Sequence, residues 1–145
     1  MAFTVSRAEM AYTLQPGDRL FLYTSRGCFH NPTRDRGRVV GEARVRSPVV
    51  ELRKAVHVAG REFALACDLE IRSLAPLGKG LELAPLVPRL RAFPRPQSWS
   101  VMMRRPLLAL PAPDAKLIDS LLRKVAGAPE GGRQTYLDAA VVTIS

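Results

Sequence analysis

Residues 17–46 read GDRLFLYTSRGCFHNPTRDRGRVVGEARVR, and the fold of the chain turns on how this stretch divides. Gly17-Asp18 is a turn pair. Arg19 to Tyr23 then alternate charged, apolar and aromatic side chains in a short extended pattern, which predicts a strand. Arg38 to Arg46 form a second run rich in valine, with Gly41 marking a place where another backbone approaches closely. Between them lies a segment rich in Gly, Asn, Pro and Arg, so the whole reads as strand, polar loop, strand. The first strand's end and the loop carry Tyr23, Thr24, Ser25, Arg26, Cys28, Phe29, His30 and Asn31. That density of stacking and hydrogen-bonding groups predicts one wall of a ligand site.

Toward the C-terminus, Ser47-Pro48 interrupts the second strand and Val49 to Val58 resumes an extended pattern, followed by a turn at Ala59-Gly60-Arg61. Glu62 to Arg72 alternates strictly, with Phe63, Leu65, Cys67, Leu69 and Ile71 on one side; it predicts a single strand with one buried face and Cys67 as a small core hydrophobe. Prolines 76, 85, 88, 94 and 96 exclude a long helix or a central strand between Ser73 and Pro96. This segment predicts a wrap, with leucines 74, 77, 81, 83, 86 and 90 covering the sheet edge and one or two helical turns within Leu83 to Leu90. Ser98 to Met103 reads as a strand with Trp99, Val101 and Met103 on one face, extended or paired by Leu107 to Leu110. Asp114 to Ala126 predicts a helix with an apolar stripe of Leu117, Ile118, Leu121, Leu122 and Val125, ended by Gly127; Tyr136 to Ile144 predicts a last strand or a tail. Toward the N-terminus, the capping-box spacing of Ser6-Arg7-Ala8-Glu9 predicts a short helix within Ala2 to Leu14. This order lacks the alternation of a βαβ array and predicts an α+β fold built on a strongly curved mixed sheet or small barrel with flanking short helices.

A chain of 145 residues reads as one domain, with its core over about 15–126 and 127–145 as a tail or last strand. Apolar residues at 47% and charged residues at 24% argue against disorder. Two cysteines cannot form a multi-bridge framework, the first ten residues lack the apolar core of a signal peptide, and no apolar run approaches the roughly 20 residues that span a bilayer. A cytoplasmic protein is expected. The balance of 22 basic against 13 acidic residues gives a net charge of +9 and points to phosphate-bearing partners. Against that stands the arginine excess a GC-rich genome produces without selection for binding.

Several chemistries find little support. Cys28-Phe29-His30 offers only one pair of metal ligands where a structural zinc site needs four. Cys28 with His30 or His57 lacks an orienting carboxylate and a legible oxyanion loop. Gly78-Lys79-Gly80 lacks the spacing of a phosphate loop, and no cofactor motif is present. Recognition of a base fits better, since it needs flat apolar surfaces and a few donors and acceptors for the base edge. Tyr23, Phe29 and Trp99 supply the first; Thr24, Ser25, Asn31, Ser98 and Ser100 supply the second; Arg26, Arg34, Arg36 and Arg38 suit flanking phosphates.

The succession GDRLFLYTS, a variable loop and GRVVGEARV resembles the PUA-like superfamily, and most of all its EVE branch. There a Gly-Asp strand ending in Tyr and small polar residues precedes an Ile/Val-Val-Gly-x-Ala strand. The likeness runs through Leu74, Leu77 and Leu86 to Gln97-Ser98-Trp99-Ser100 and the helix at Asp114 to Leu122, covering about residues 15–125. The resemblance implies a small curved β-barrel with a pocket similar to those that EVE and the related YTH domains use for modified bases, lined here by Tyr23, Thr24, Ser25 and the Ser98-Trp99 segment. The EVE branch opens on an aromatic-rich strand, which Met1-Ala2-Phe3 does not reproduce. The ASCH branch resembles the chain less, its early Gly-x-Lys-x-x-Glu-x-Arg signature being absent. The expected function is non-enzymatic binding of DNA or RNA through a pocket for a single modified base. The alternatives are an ASCH-like enzyme or nucleoside-binding module using the same pocket, and a basic interaction protein without one.

Overall fold

A computed structural model describes residues 1–26 and 36–139. The chain opens on β1 (Ala2–Phe3), a short strand the sequence did not announce, followed by a 3-10 turn at Val5–Arg7 and α1 (Ala8–Ala11). Ser6 does not cap this helix: the N-cap position falls on Arg7, and the Ser6 hydroxyl meets that of Thr4 at 2.9 Å. Next come β2 (Arg19–Thr24) and β3 (Arg38–Val45), an antiparallel pair in register from Arg19↔Arg44 to Thr24↔Arg38. Leu22 faces Gly41 and Tyr23 faces Val39, so Val40 bulges out of the pair; its carbonyl accepts the Ala75 N–H at 2.7 Å. Bulges bend a strand and increase its twist.

β4 (Val50–Val58) and β5 (Arg61–Ala66) form a hairpin closed by Ala59-Gly60, both at positive φ (49° and 74°), which matches the right-handed twist of the strands. β6 (Leu69–Leu74) pairs with β3, and β7 (Leu81–Glu82) pairs with the start of β3. The sheets are therefore β1-β5-β4 and β2-β3-β6, with β7 beside β3. The single strand expected over Glu62 to Arg72 is in fact two strands in different sheets. The break falls at Cys67-Asp68, held by Asp68 N–H on the Ser47 hydroxyl at 2.9 Å and Arg46 N–H on the Asp68 carbonyl at 2.9 Å. β3 passes into β4 at the same corner. Alternation continues through the break because Leu65 and Cys67 are buried in the cluster with Phe3, Leu14 and Val45 on which Leu69 also packs. Among the described residues the two sheets do not close into a barrel, and the architecture is mixed α+β with two antiparallel sheets and short helices.

The C-terminal half covers the other face. A 3-10 segment at Ala84–Arg89, α2 (Trp99–Met102) and α3 (Ala112–Leu122) enclose a second core of Val39, Leu83, Leu86, Val87, Leu90, Phe93, Ile118 and Leu122. Leucines 83, 86 and 90 of the expected wrap are buried in this core, whereas Leu74 ends β6 and Leu81 begins β7, so that part of the segment is strand. The strand expected over Ser98 to Met103 does not form. Trp99, Met102 and Met103 face the core at helical spacing while Val101 is 58% exposed, so the 3.6-residue period prevails over an accidental alternation. Leu107 to Leu110 form no strand. α3 ends at Leu122 rather than Ala126, and Gly127 instead exchanges two backbone hydrogen bonds with Leu74 (2.9 and 3.2 Å). Finally, α4 (Arg133–Ala139) replaces the first part of the expected last strand; the remainder, 140–145, lies outside the described residues. Tyr136 anchors α4 by donating its hydroxyl to the Ala75 carbonyl at 2.8 Å.

Candidate ligand cleft and its basic mouth

β2 lies at the edge of its sheet, and along it runs a cleft of ≈ 930 Å³. β2 lines it from Arg19 to Tyr23, with Ser25 beyond; Met103, Arg105 to Leu110, Leu83, Phe93 and Ile118 line it as well. The lining is mostly apolar, and the volume lies within the range of small-molecule sites. Tyr23 is half-buried, and burial pushes its phenol pKa up, so the hydroxyl stays a neutral donor and acceptor at physiological pH. A Cβ at Gly37 would overlap that hydroxyl, which is why glycine suits the entry to β3.

At the end of β2 a second, much smaller depression of ≈ 10 Å³ lies among Thr24, Ser25, Arg36, Arg38, Lys79 and Tyr136. It is too tight to admit a ligand group. Ser25 lines both the cleft and this depression. The Glu82 carboxylate lies 3.4 Å from Arg36 and 3.6 Å from Arg38 and neutralises part of the cluster. Lys79 is exposed on a turn whose Gly78 and Gly80 have φ of +76° and +114°. Tyr136 is also raised in pKa, by burial first, with Arg38 opposing.

The residues expected at a site are thus brought together only in part. Tyr23, Thr24, Ser25, Arg36 and Arg38 meet at one end of the cleft, and Arg26 is exposed just after β2. Phe29, Asn31 and Arg34, with Cys28 and His30, lie outside the described residues. Ser98 is exposed, and Trp99 packs edge-on to Phe93 with centroids 6.3 Å apart; neither lines the cleft. Phe21, Phe93 and Met103 form apolar wall where Trp99 was expected to stand. Lys79 was visible in the sequence only as a failed phosphate loop. Tyr136, 61 residues from Ala75 whose carbonyl holds it, left no local signal.

The far end of β2 is fastened by charge. The Arg19 guanidinium donates to Glu42 at 2.7 and 3.0 Å and to Asp119 at 2.5 Å, and stacks 4.9 Å above the Phe21 ring, tying β2 to β3 and α3. Burial works to raise the Asp119 pKa, but hydrogen bonds from Arg123 and Arg19 outweigh it and the carboxyl titrates below its ordinary range. A depressed carboxyl contributes its stability in full above the unfolded pKa of about 4 and loses it as pH falls through the folded value. Asp119→Asn is therefore expected to cost about 1 kcal/mol at pH 7, no more because Arg19 and Arg123 are 34% and 77% exposed, and less near pH 2. Urea titrations at the two pH values check this; an equal cost at both would remove the ion pairs as its cause.

Cys67 is buried and its thiol is pushed up in pKa by that burial, the reverse of an activated nucleophile. His57 is exposed on β4 beside Glu62 at 3.3 Å, away from the cleft. Among the described residues no three His, Cys, Asp or Glu side chains are grouped to hold a metal, and no helix is long and apolar enough to cross a membrane. No protein-family model matches this chain, and no curated protein matches it either.

Proposed function

We propose that this chain is a non-enzymatic, cytoplasmic nucleic-acid-binding module of PUA-like, EVE-type architecture, in which the cleft along β2 receives a single modified base. One observation supports the reading above the others: Ser25 borders both an apolar cleft of base-accepting size and a mouth carrying Arg36, Arg38 and Lys79. A base needs a flat apolar slot, its phosphate needs cations a few ångströms away, and the end of β2 offers both. Tyr23 and Phe21 are the stacking candidates, Thr24 and Ser25 the groups for a base edge, and the net charge of +9 the source of long-range attraction.

The test is binding of single-stranded DNA and RNA oligonucleotides carrying a panel of modified bases, measured across salt. Tyr23→Leu is expected to weaken the preferred oligonucleotide by about 5- to 160-fold, since stacking contributes about 1–3 kcal/mol per base. Lys79→Gln is expected to make the slope of log affinity against log salt shallower by about 0.7. If neither single strands nor duplexes bind at low salt, the reading is lost. The apolar lining of the cleft favours one other reading, a nucleoside-like small ligand bound without a polymer, by a binding module or an ASCH-like enzyme. Its signature is nucleoside binding that barely responds to salt.

A further inference from the structure

Between Glu82 and Asp114 the chain contains no acidic residue and five arginines, at 89, 91, 95, 104 and 105. All five are exposed. None makes an ion pair among the described residues, unlike Arg19, Arg36, Arg38, Arg46, Arg72 and Arg123. Asp114, the nearest acid in sequence after them, is 2% exposed, accepts the backbone N–H groups of Arg91 and Ala92 (3.0 and 2.7 Å) and forms no ion pair with them among the described residues.

All five arginines lie on the segment whose apolar residues build the second core. Arg91 and Arg95 flank Phe93, which is buried and meets Trp99 edge-on; α2, begun by Trp99, runs into Arg104 and Arg105. Arg105 lines the cleft together with Phe93 and Met103. Cations therefore stand beside Ser25, at Arg36, Arg38 and Lys79, and again in the cleft lining, at Arg105.

We infer that the surface of Arg89, Arg91, Arg95, Arg104 and Arg105 is a second phosphodiester-binding surface, along which the backbone of a single strand lies while its base occupies the cleft. The inference rests on the nucleic-acid reading for its ligand. Phosphates are favoured over an anionic membrane because the segment carries no lysine, its planar forks suit phosphate oxygens, and its large apolar groups are turned inward. Trp99, Met102 and Met103 pack on the core and only Val101 is well exposed, whereas a membrane-seated helix needs a continuous apolar face.

The test uses the full chain in two paired variants, Arg91→Gln/Arg95→Gln and Arg104→Gln/Arg105→Gln, with binding of a fluorescent single-stranded oligonucleotide measured from low to high salt. Each lost phosphate contact lowers the salt slope by about 0.7, so each pair is expected to make the slope shallower by about 1.4 and to weaken binding by roughly 20-fold near 0.1 M salt. Discrimination between modified and unmodified bases should persist, because these contacts carry no sequence information. If the wild type binds and Tyr23→Leu weakens it while both arginine pairs leave slope and affinity unchanged, this inference is overturned and the base-cleft reading stands. If the arginine pairs act but Tyr23→Leu and base identity make no difference, this surface stands and the cleft reading falls. Binding to vesicles of phosphatidylcholine with 30% phosphatidylserine, without binding to oligonucleotides, would overturn it in favour of a lipid surface. Binding to neither probe overturns it outright.

Discussion

Asp114→Ala lowers the free energy of unfolding by about 3–5 kcal/mol, read as a fall in the urea midpoint with an unchanged slope. The carboxylate is 2% exposed and accepts the Arg91 and Ala92 N–H groups at 3.0 and 2.7 Å. Hydrogen bonds to a charged group contribute about 1.5–3 kcal/mol each, and alanine leaves both part-buried donors unmatched. Its place in the first turn of α3 adds a smaller favourable interaction with the positive end of the helix dipole. The loss is also structural, because Arg91-Ala92 leads into Phe93, whose ring supports Trp99 and floors the cleft. Asp114→Asn keeps one strong acceptor and should recover about half of the loss. An alanine variant within about 0.5 kcal/mol of wild type would mean that water replaces the carboxylate without penalty.

Gly41→Ala is expected to destabilise by about 3 kcal/mol, at the upper end of what one inserted methyl group costs in a packed site. Gly41 pairs with Leu22 on one side and Leu74 on the other, and a Cβ there would fall against the Ser73 carbonyl oxygen, well inside van der Waals contact, and crowd the Leu74 side chain. The obstacle is backbone, which cannot rotate away. Relief requires β6 to separate from β3, and β6 is held at its other edge by the paired bonds between Leu74 and Gly127. Thermal unfolding is the measurement. A variant that melts with the wild type would show that the β3–β6 spacing relaxes freely.

Local signals carried the reading furthest where their cause is local. Gly17-Asp18, the extended run Arg19–Thr24 and the valine-rich Arg38–Val45 each depend on backbone preference within a few residues, and they form the central hairpin. The close approach at Gly41 follows from a missing side chain and was likewise legible. Leu83, Leu86 and Leu90, set among prolines, announced a covering segment because prolines forbid the alternatives. Periodicity misled where it reports burial without naming a partner. Residues 63 to 71 alternate without a break because the same core lies beneath both strands, yet the chain changes sheet at Cys67-Asp68. Trp99, Val101 and Met103 mimic a strand face over five residues, too short a window to separate a period of two from one of 3.6.

By itself the sequence determined the β2–β3 hairpin and the polar, basic character of its open end, Tyr23-Thr24-Ser25 with Arg36 and Arg38. Tertiary structure alone decided what else lines the cleft. It took Trp99 out of the wall and into contact with Phe93, put Phe21, Met103 and Arg105 along the cleft, and brought Lys79 and Tyr136 to Ser25. The reason is separation along the chain: a hairpin's contacts join neighbours whose preferences can be read side by side. A cleft's walls meet only once distant segments have buried their own apolar faces, and no window of sequence records which faces those will be.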